Sequence, residues 1–403
     1  MQHKSGEHIE PEVSNVANEE AASETSTIRH SHEPFEYFQH KKYSFKWFKS
    51  QYLGALRKSK SHGAESYIVR IPRQDGDDMD RNVAILKATR SQLKLPVPNV
   101  ITYDLSASNV FEKPYMIQKR LPGQNLAQLW KSLNMEQKQC AVKRITDLFS
   151  RIASVEGPAG DISLENLSRA PNGCIHIEKF CVPARGLEDE SFDKANTWSA
   201  LPQKPLDHLL EQCERWREYQ TSQGACFDEI WDSFAAISKA LEARGFLDGP
   251  SGLLHGDLKA YNLLAEVQSP TEVEITGVID WDYAVVAPEC VAYRAPFWLW
   301  IPEDMDSADE DDESNANLEP CSDEGRIFKD VFLSHASEKF KRYAFSPEAL
   351  LARRMFLILQ KGIFGPWNMM EADNIIRDWD ELHPGDNVTT ADIGANASIG
   401  IFY

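Results

Sequence analysis

The run Leu253-Leu-His255-Gly-Asp257-Leu-Lys259-Ala-Tyr-Asn262-Leu-Leu264 places four chemically capable side chains in one polar loop between two apolar pairs. Downstream, Ala265 to Val267 continue a strand, Gln268 to Thr271 make a proline-containing turn, and Val273 to Ile279 return, so the chain doubles back as an antiparallel hairpin. A turn centred near residue 270 puts Asn262 opposite residue 278 and Asp280 about two positions past its partner. A carboxylate and an amide oxygen delivered to the same end of a hairpin are hard ligands, of the kind Mg²⁺ takes while it also holds substrate phosphates. Asp257, in the same loop, is placed to accept a proton beside that metal. His255 serves by hydrogen-bonding backbone and orienting the loop. Asp282 follows Asp280-Trp281 and offers a second carboxylate, while Lys259 either touches a phosphate or is simply solvated.

The elements that must hold this loop can be read from hydrophobic period. Ser66 to Ile71 is β-branched and aromatic and is closed by Pro72, which predicts a strand. After a polar loop, residues 80–95 read as a helix that must stop before Pro96-Val97-Pro98, and Pro114 to Gln118 read as a further strand running into Leu121-Pro122-Gly123. Strand, helix and strand in so short a span describe a small α+β lobe ending at a hinge. From there the period becomes helical. Leu126, Leu129, Trp130 and Leu133 follow Asn125 as an N-cap, and Asn134 with Gln137 forms a capping box before Ile145, Leu148, Phe149 and Ile152. Phe227, Ile230, Trp231, Phe234, Ile237 and Leu241 make another amphipathic helix, stopped near Gly245.

The 403 residues suffice for a sizeable core. The net charge of −19 disfavours binding to nucleic acid or anionic lipid. Much of that charge is local, because residues 302–325 carry eleven acids and no base, which predicts a disordered insertion. Seven scattered cysteines without a CxxC pair suit a reducing compartment. The cluster of Cys174, His176 and Cys181 lacks a fourth zinc ligand at familiar spacing. The first residues lack the order of a signal peptide, and no apolar run approaches a membrane span, so the expected location is cytoplasmic. Residues 1–33 are too polar to bury a core and are expected to be disordered.

The stretch 255–262 has the H-x-D-x-x-x-x-N arrangement of kinase-type phosphotransferases, and Asp280-Trp281-Asp282 stands where such proteins carry a second metal-binding motif. The chain resembles the aminoglycoside phosphotransferase and choline kinase-like superfamily, particularly its fungal members. The resemblance rests on Val69-Arg-Ile-Pro72, Asn82-Val-Ala84, Leu95-Pro-Val-Pro98, Pro114-Tyr-Met-Ile117, Leu121-Pro-Gly123, Leu254 to Leu258 and Val278 to Asp282, and covers roughly 60–380. It implies an α+β, bilobal protein-kinase-like fold: a small β-rich lobe at 34–120 and a larger, mainly helical lobe at 121–383. The large lobe would carry the catalytic loop 253–264, the metal loop 278–282 and the acidic insertion, with a tail at 384–403. It also implies ATP bound at the hinge, Gln118, Lys119 and Arg120, and phosphoryl transfer to a hydroxyl of a small molecule. No partner protein is identifiable. Arg70 would pair with the α and β phosphates. The sequence departs from the family at Asn82, where a glutamate partner for that basic residue is usual, and before Arg70, where only Gly54 and Gly63 stand for a glycine-rich loop. Two readings therefore remain: an active Mg²⁺-dependent, ATP-using phosphotransferase, or a pseudokinase that binds nucleotide or acts as a scaffold without turnover.

Overall fold

Three short strands build the sheet of the small lobe. Tyr67–Arg70 (β1), Val100–Asp104 (β2) and Tyr115–Lys119 (β3) form an antiparallel sheet in the order β1-β3-β2. Val69 and Ile117 share one face, packed by Tyr67, Ile71, Ile101, Phe111 and Tyr115, whereas Met116 on the opposite face joins the main core. The helix Met79–Gln92 (α1) buries Val83, Ala84, Ile85, Leu86 and Ala88 at once. Such all-round burial follows from its position, with the small sheet on one side and the large lobe on the other. The computed structural model describes residues 66–72, 79–92, 95–164, 175–184, 200, 202–301 and 313–388. All of these belong to one compact unit. The expected tail at 1–33, Gly54, Gly63, Cys174 and residues 302–312 lie outside the described residues.

The large lobe opens with Gln124–Asn125 (β4), Leu126–Trp130 (α2) and Met135–Ala153 (α3). Both expected caps are present: the Asn125 side chain accepts from the amides of Ala127 and Gln128, and Asn134 and Gln137 bond reciprocally. Glu156–Gly157 (β5), Gly160–Leu164 (β6) and Ile175–Glu178 (β7) follow, then the paired helices Pro205–Ser222 (α4) and Asp228–Ala243 (α5). Ser251–Leu254 (β8), Leu263–Val267 (β9), Val273–Val278 (β10) and Val285–Pro288 (β11) precede Glu289–Ala292 (α6). Asp323–His335 (α7), Glu338–Phe345 (α8), Pro347–Lys361 (α9) and Pro366–Leu382 (α10) close the lobe. The α+β class and the division into a small β-rich and a larger lobe are as expected. The large lobe is not helical alone, however, because a five-stranded sheet, β5-β8-β11-β6-β7, runs through it. Its strands of two to five residues are too short to announce themselves by period.

Two expected boundaries move. Residues 313–317 form a turn of 3₁₀ helix with Ala316 buried, the Asn317 amide donates to Phe345 O at 3.0 Å, and Lys329 donates to Leu318 O at 2.8 Å. Beyond 312, the segment expected to be disordered is thus packed, because its few non-acidic residues find carbonyl and apolar partners on α7 and α8. At the other end, Asp386 accepts from Arg244 at 3.0 Å and from the Trp379 indole at 3.1 Å, and Val388 is buried. The large lobe therefore extends past 383 to at least 388. Among the described residues, no helix is long and apolar enough to cross a membrane.

The hairpin carries a register correction. Val273, Glu274 and Ile275 pair with Val267, Glu266 and Ala265 as expected, but the register then shifts, and Gly277 and Val278 face Leu264 and Leu263. Thr276 is the extra residue of a bulge, and its hydroxyl donates to Pro122 O at 2.9 Å. Asn262 consequently lies opposite Ile279, whose N–H donates to Asn262 O at 3.0 Å, and Asp280 stands one position past that pair rather than two.

Candidate active site

The loop after β8 is built around a backbone that only glycine adopts easily. Gly256 has φ of +88°, and a Cβ there would sit 2.5 Å from Tyr283 Cβ and Tyr283 O, so the two loops touch directly. His255 bridges them. Its Nδ1 accepts from the Asp257 N–H at 3.3 Å, and its Nε2–H donates to Ile279 O at 3.1 Å. Its ring lies against Trp281 with centroids 4.5 Å apart. Burial pushes the imidazole down to about 4, so it is neutral at physiological pH and its one N–H is spent on Ile279. His255 thus ties the two loops together.

Both oxygens of Asp257 receive hydrogen bonds. The Tyr261 hydroxyl donates to Oδ1 at 2.9 Å, and Asn262 Nδ2 donates to Oδ2 at 3.0 Å and to Asp257 O at 2.7 Å. Because these bonds use the nitrogen of Asn262, its Oδ1 is left for a cation. Asn125 supports the same turn, donating to Tyr261 O at 2.6 Å while capping α2. Lys259 is half-buried and its N–H donates to Asp257 O at 3.2 Å. On the opposite loop Asp280 has φ of +65°, a left-handed conformation that aspartate tolerates better than most residues. Burial, and then the charge of Asp282, raise its carboxyl to about 6; Asp257 adds to the rise and Arg70 opposes it.

Asp257, Asn262, Asp280 and Asp282 are therefore neighbours, and Arg70 reaches them from the small lobe. Its guanidinium grips Asp282 with two bonds, Nη1 to Oδ1 at 2.8 Å and Nη2 to Oδ2. Asn82 is buried in α1, and the carboxylate partner of Arg70 is Asp282. In β3, Gln118 is buried with Oε1 lacking a partner. Lys119 and Arg120 are exposed, and their N–H groups go to Asn99 O and Ser66 O at 2.9 Å each.

Sequence reasoning passed over three contributors. Tyr261 announces itself only by lying four residues after Asp257. Trp298 donates its indole N–H to Leu258 O at 3.1 Å from a distant turn. Arg81 binds Asp161 Oδ1 at 3.2 Å, Ala284 O at 2.8 Å and Asp282 O, holding the loop from α1.

The donor set fits a divalent cation. Among the described residues no three His, Cys, Asp or Glu side chains already converge as ligands, but Asp280 is held ionisable with difficulty beside two other carboxylates. A cation bound through Asp280 and the Asn262 oxygen would relieve that crowding and complete its shell from phosphates and water, the usual manner of Mg²⁺.

The model of the Phosphotransferase enzyme family matches residues 55–290, more than half of the chain. The chain belongs to that family. Over 77 residues it is 30% identical to subtelomeric hrmA-associated cluster proteins of two Aspergillus fumigatus strains, a stretch covering 19% of this chain and 15% of theirs. It is also similar to the solved aminoglycoside phosphotransferase APH(2'')-Ib with ADP, at 14% identity and a TM-score of 0.44, over 83% of this chain and 97% of that one. A second similar structure is APH(4)-Ia with AMP-PNP and hygromycin B, at 16% identity and a TM-score of 0.40, over 79% and 88% of the respective chains.

Proposed function

We propose that this family member transfers the γ-phosphoryl group of ATP to a hydroxyl of a small metabolite or antibiotic-like compound, in the cytoplasm. The observation that carries the reading is the meeting of Asp257, Asn262, Asp280, Asp282 and Arg70 at one place, supported by membership of a phosphotransferase family. Asp257 orients the acceptor hydroxyl and takes its proton, with Tyr261 and Asn262 fixing the plane of its carboxylate. Asn262 Oδ1 and Asp280 hold Mg²⁺, with Asp282 near them. When bound, the metal neutralises charge on the phosphates. Arg70 pairs with phosphate oxygens, a role for which a planar, permanently charged guanidinium is suited. Gln118, Lys119 and Arg120 line the base subsite, where the orphaned Gln118 Oε1 is an available acceptor. Lys259 lies beside the phosphates.

The test is radiolabelled phosphoryl transfer from ATP across a metabolite panel, run beside ATP-dependent thermal shift. Asp257→Asn should lower turnover by about 10²–10⁴-fold. Its melting temperature should fall by no more than a few degrees, since the lost hydrogen bonds lie in a half-exposed loop. Nucleotide binding with neither transfer nor hydrolysis would instead support the pseudokinase reading.

A further inference from the structure

Arg70 and Asp282 are 212 positions apart in sequence and belong to different lobes. Their side chains are only 10% and 9% exposed, and the two-pronged contact fixes both the position and the plane of the guanidinium. After Asp80 at its start, α1 presents Arg81, which is itself cationic, and Asn82, which is neutral, and the carboxylate that the guanidinium grips is Asp282. Arg81 also crosses to the large lobe and binds Asp282 O and Ala284 O. One arginine thus holds the Asp282 backbone while the other is held by its carboxylate.

We infer that Asp282 is the positioning residue for Arg70: the carboxylate that aims the small lobe's phosphate-binding cation is carried by the large lobe, so Arg70 is aimed only while the lobes are closed. The inference rests on the proposed role of Arg70 at the phosphates. A carboxylate on α1 would travel with the small lobe and hold the cation in every lobe arrangement. A carboxylate on the loop after β10 couples the aim of Arg70 to closure of the cleft. The two-pronged contact with Asp282 engages two of the five guanidinium N–H groups. An arginine already ordered loses less freedom on binding, and the nucleotide is held more tightly for it.

The experiment is a double-mutant cycle on nucleotide affinity, using ATP and calorimetry with the full chain, both in Mg²⁺ and in EDTA. Arg70→Gln, Asp282→Asn and the double variant are compared with wild type, and each is checked for folding by its melting temperature. The expected result is that Asp282→Asn weakens ATP binding five- to tenfold in both conditions. Adding Asp282→Asn to Arg70→Gln should then cost little more, because the two residues act as one unit. A loss confined to Mg²⁺ would make Asp282 a metal ligand only and overturn the inference. Tighter ATP binding in Asp282→Asn would show it to be a competitor for Arg70, and additive losses would show that the residues act separately; either also overturns it. If wild type itself binds no ATP, the proposed function falls and takes this inference with it, an outcome distinct from a binding-competent wild type whose cycle is additive.

Discussion

At the scale of single residues, Asp280 illustrates what a site of this kind costs the native state. Its carboxyl is raised from 3.8 to about 6 by burial and by Asp282, so at pH 7 the folded protein holds an anion that costs more there than in the unfolded chain. For an acid raised in this way, native stability is regained as pH falls below about 6. Asparagine imitates the neutral form and tolerates the left-handed backbone at this position. Asp280→Asn should therefore stabilise the protein at pH 7 by on the order of 2 kcal/mol, a rise of a few degrees in melting temperature. The gain should fall to roughly a third by pH 4.5, since it vanishes only below the ordinary value of 3.8, and Mg²⁺-dependent nucleotide binding should be lost at every pH. Thermal melts at the two pH values check this, and an equal gain at both would refute the electrostatic cause. Asn82 carries the opposite expectation. From sequence alone a glutamate there looks like an improvement, since it would restore charge beside Arg70. With Asp282 already gripping Arg70, Asn82→Glu should change ATP affinity by less than about twofold, and buries a second acid besides. A fivefold or greater tightening by calorimetry would mean that Asp282 does not satisfy Arg70.

Elements show where local signals suffice and where they fail. The box of Asn134 and Gln137 is legible because its residues lie three apart, and the structure adds what spacing could not show: Asn134 Nδ2 donates to Pro270 O at 2.8 Å and Gln137 Nε2 to Ser269 O at 2.9 Å. The cap of α3 is thus tied to the turn of the hairpin that carries Asn262 and Asp280. Asn134→Ala should cost about 1 kcal/mol, the worth of a typical N-cap, and should raise hydrogen exchange at residues 268–272 as well as in the first turn of α3. Exchange confined to α3 would show that the turn does not depend on the cap. The loop 255–262, the second loop at 280–282 and the hairpin between them were all readable, because residue type and spacing encode them locally. The bulge at Thr276 was not, since its cause is a carbonyl at Pro122, far away in the chain. The five-stranded sheet was hidden for a related reason. Pairs such as Val285 with Leu254 and Asp161 join short segments with no pattern of their own. The partner of Arg70 escaped for the same reason: Asp282 was recognised as a site residue, but nothing in the sequence says that the two meet.

For the whole molecule, the consequence to measure is stability against pH. His208 in α4 and His255 are both buried, and desolvation pushes each down to about 4. Near His208, Glu211 opposes the shift while Arg215 and Lys179 add to it; near His255, the Ile279 carbonyl and Asp282 oppose it. A base whose folded value is depressed stays neutral in the native state while the unfolded chain takes up a proton below about 6.5. Stability then falls with pH between 6.5 and 4, by up to about 1.4 kcal/mol per pH unit for each histidine. Two effects run the other way in that window. Asp280 gains stability as it protonates below about 6, and lowering pH relieves the mutual repulsion in a chain of net charge −19. The lowered carboxyls of Asp104, Glu211 and Asp386 matter only at the acid end, near and below their ordinary values of 3.8 to 4.5. Because these terms overlap, the informative quantity is a difference between variants. His208 packs edge-on against Phe180, with ring centroids 5.6 Å apart, and takes no part in the proposed site, so it can be replaced without touching the chemistry. His208→Gln should lower stability at pH 7 through lost packing, yet lose less than wild type between pH 6.5 and 5, flattening the slope by roughly 1 kcal/mol per pH unit. Urea titrations of both proteins at half-unit steps give the two slopes. Parallel slopes would show that His208 is not held neutral by burial, and the acid sensitivity of the fold would then belong to His255 and the loop it braces.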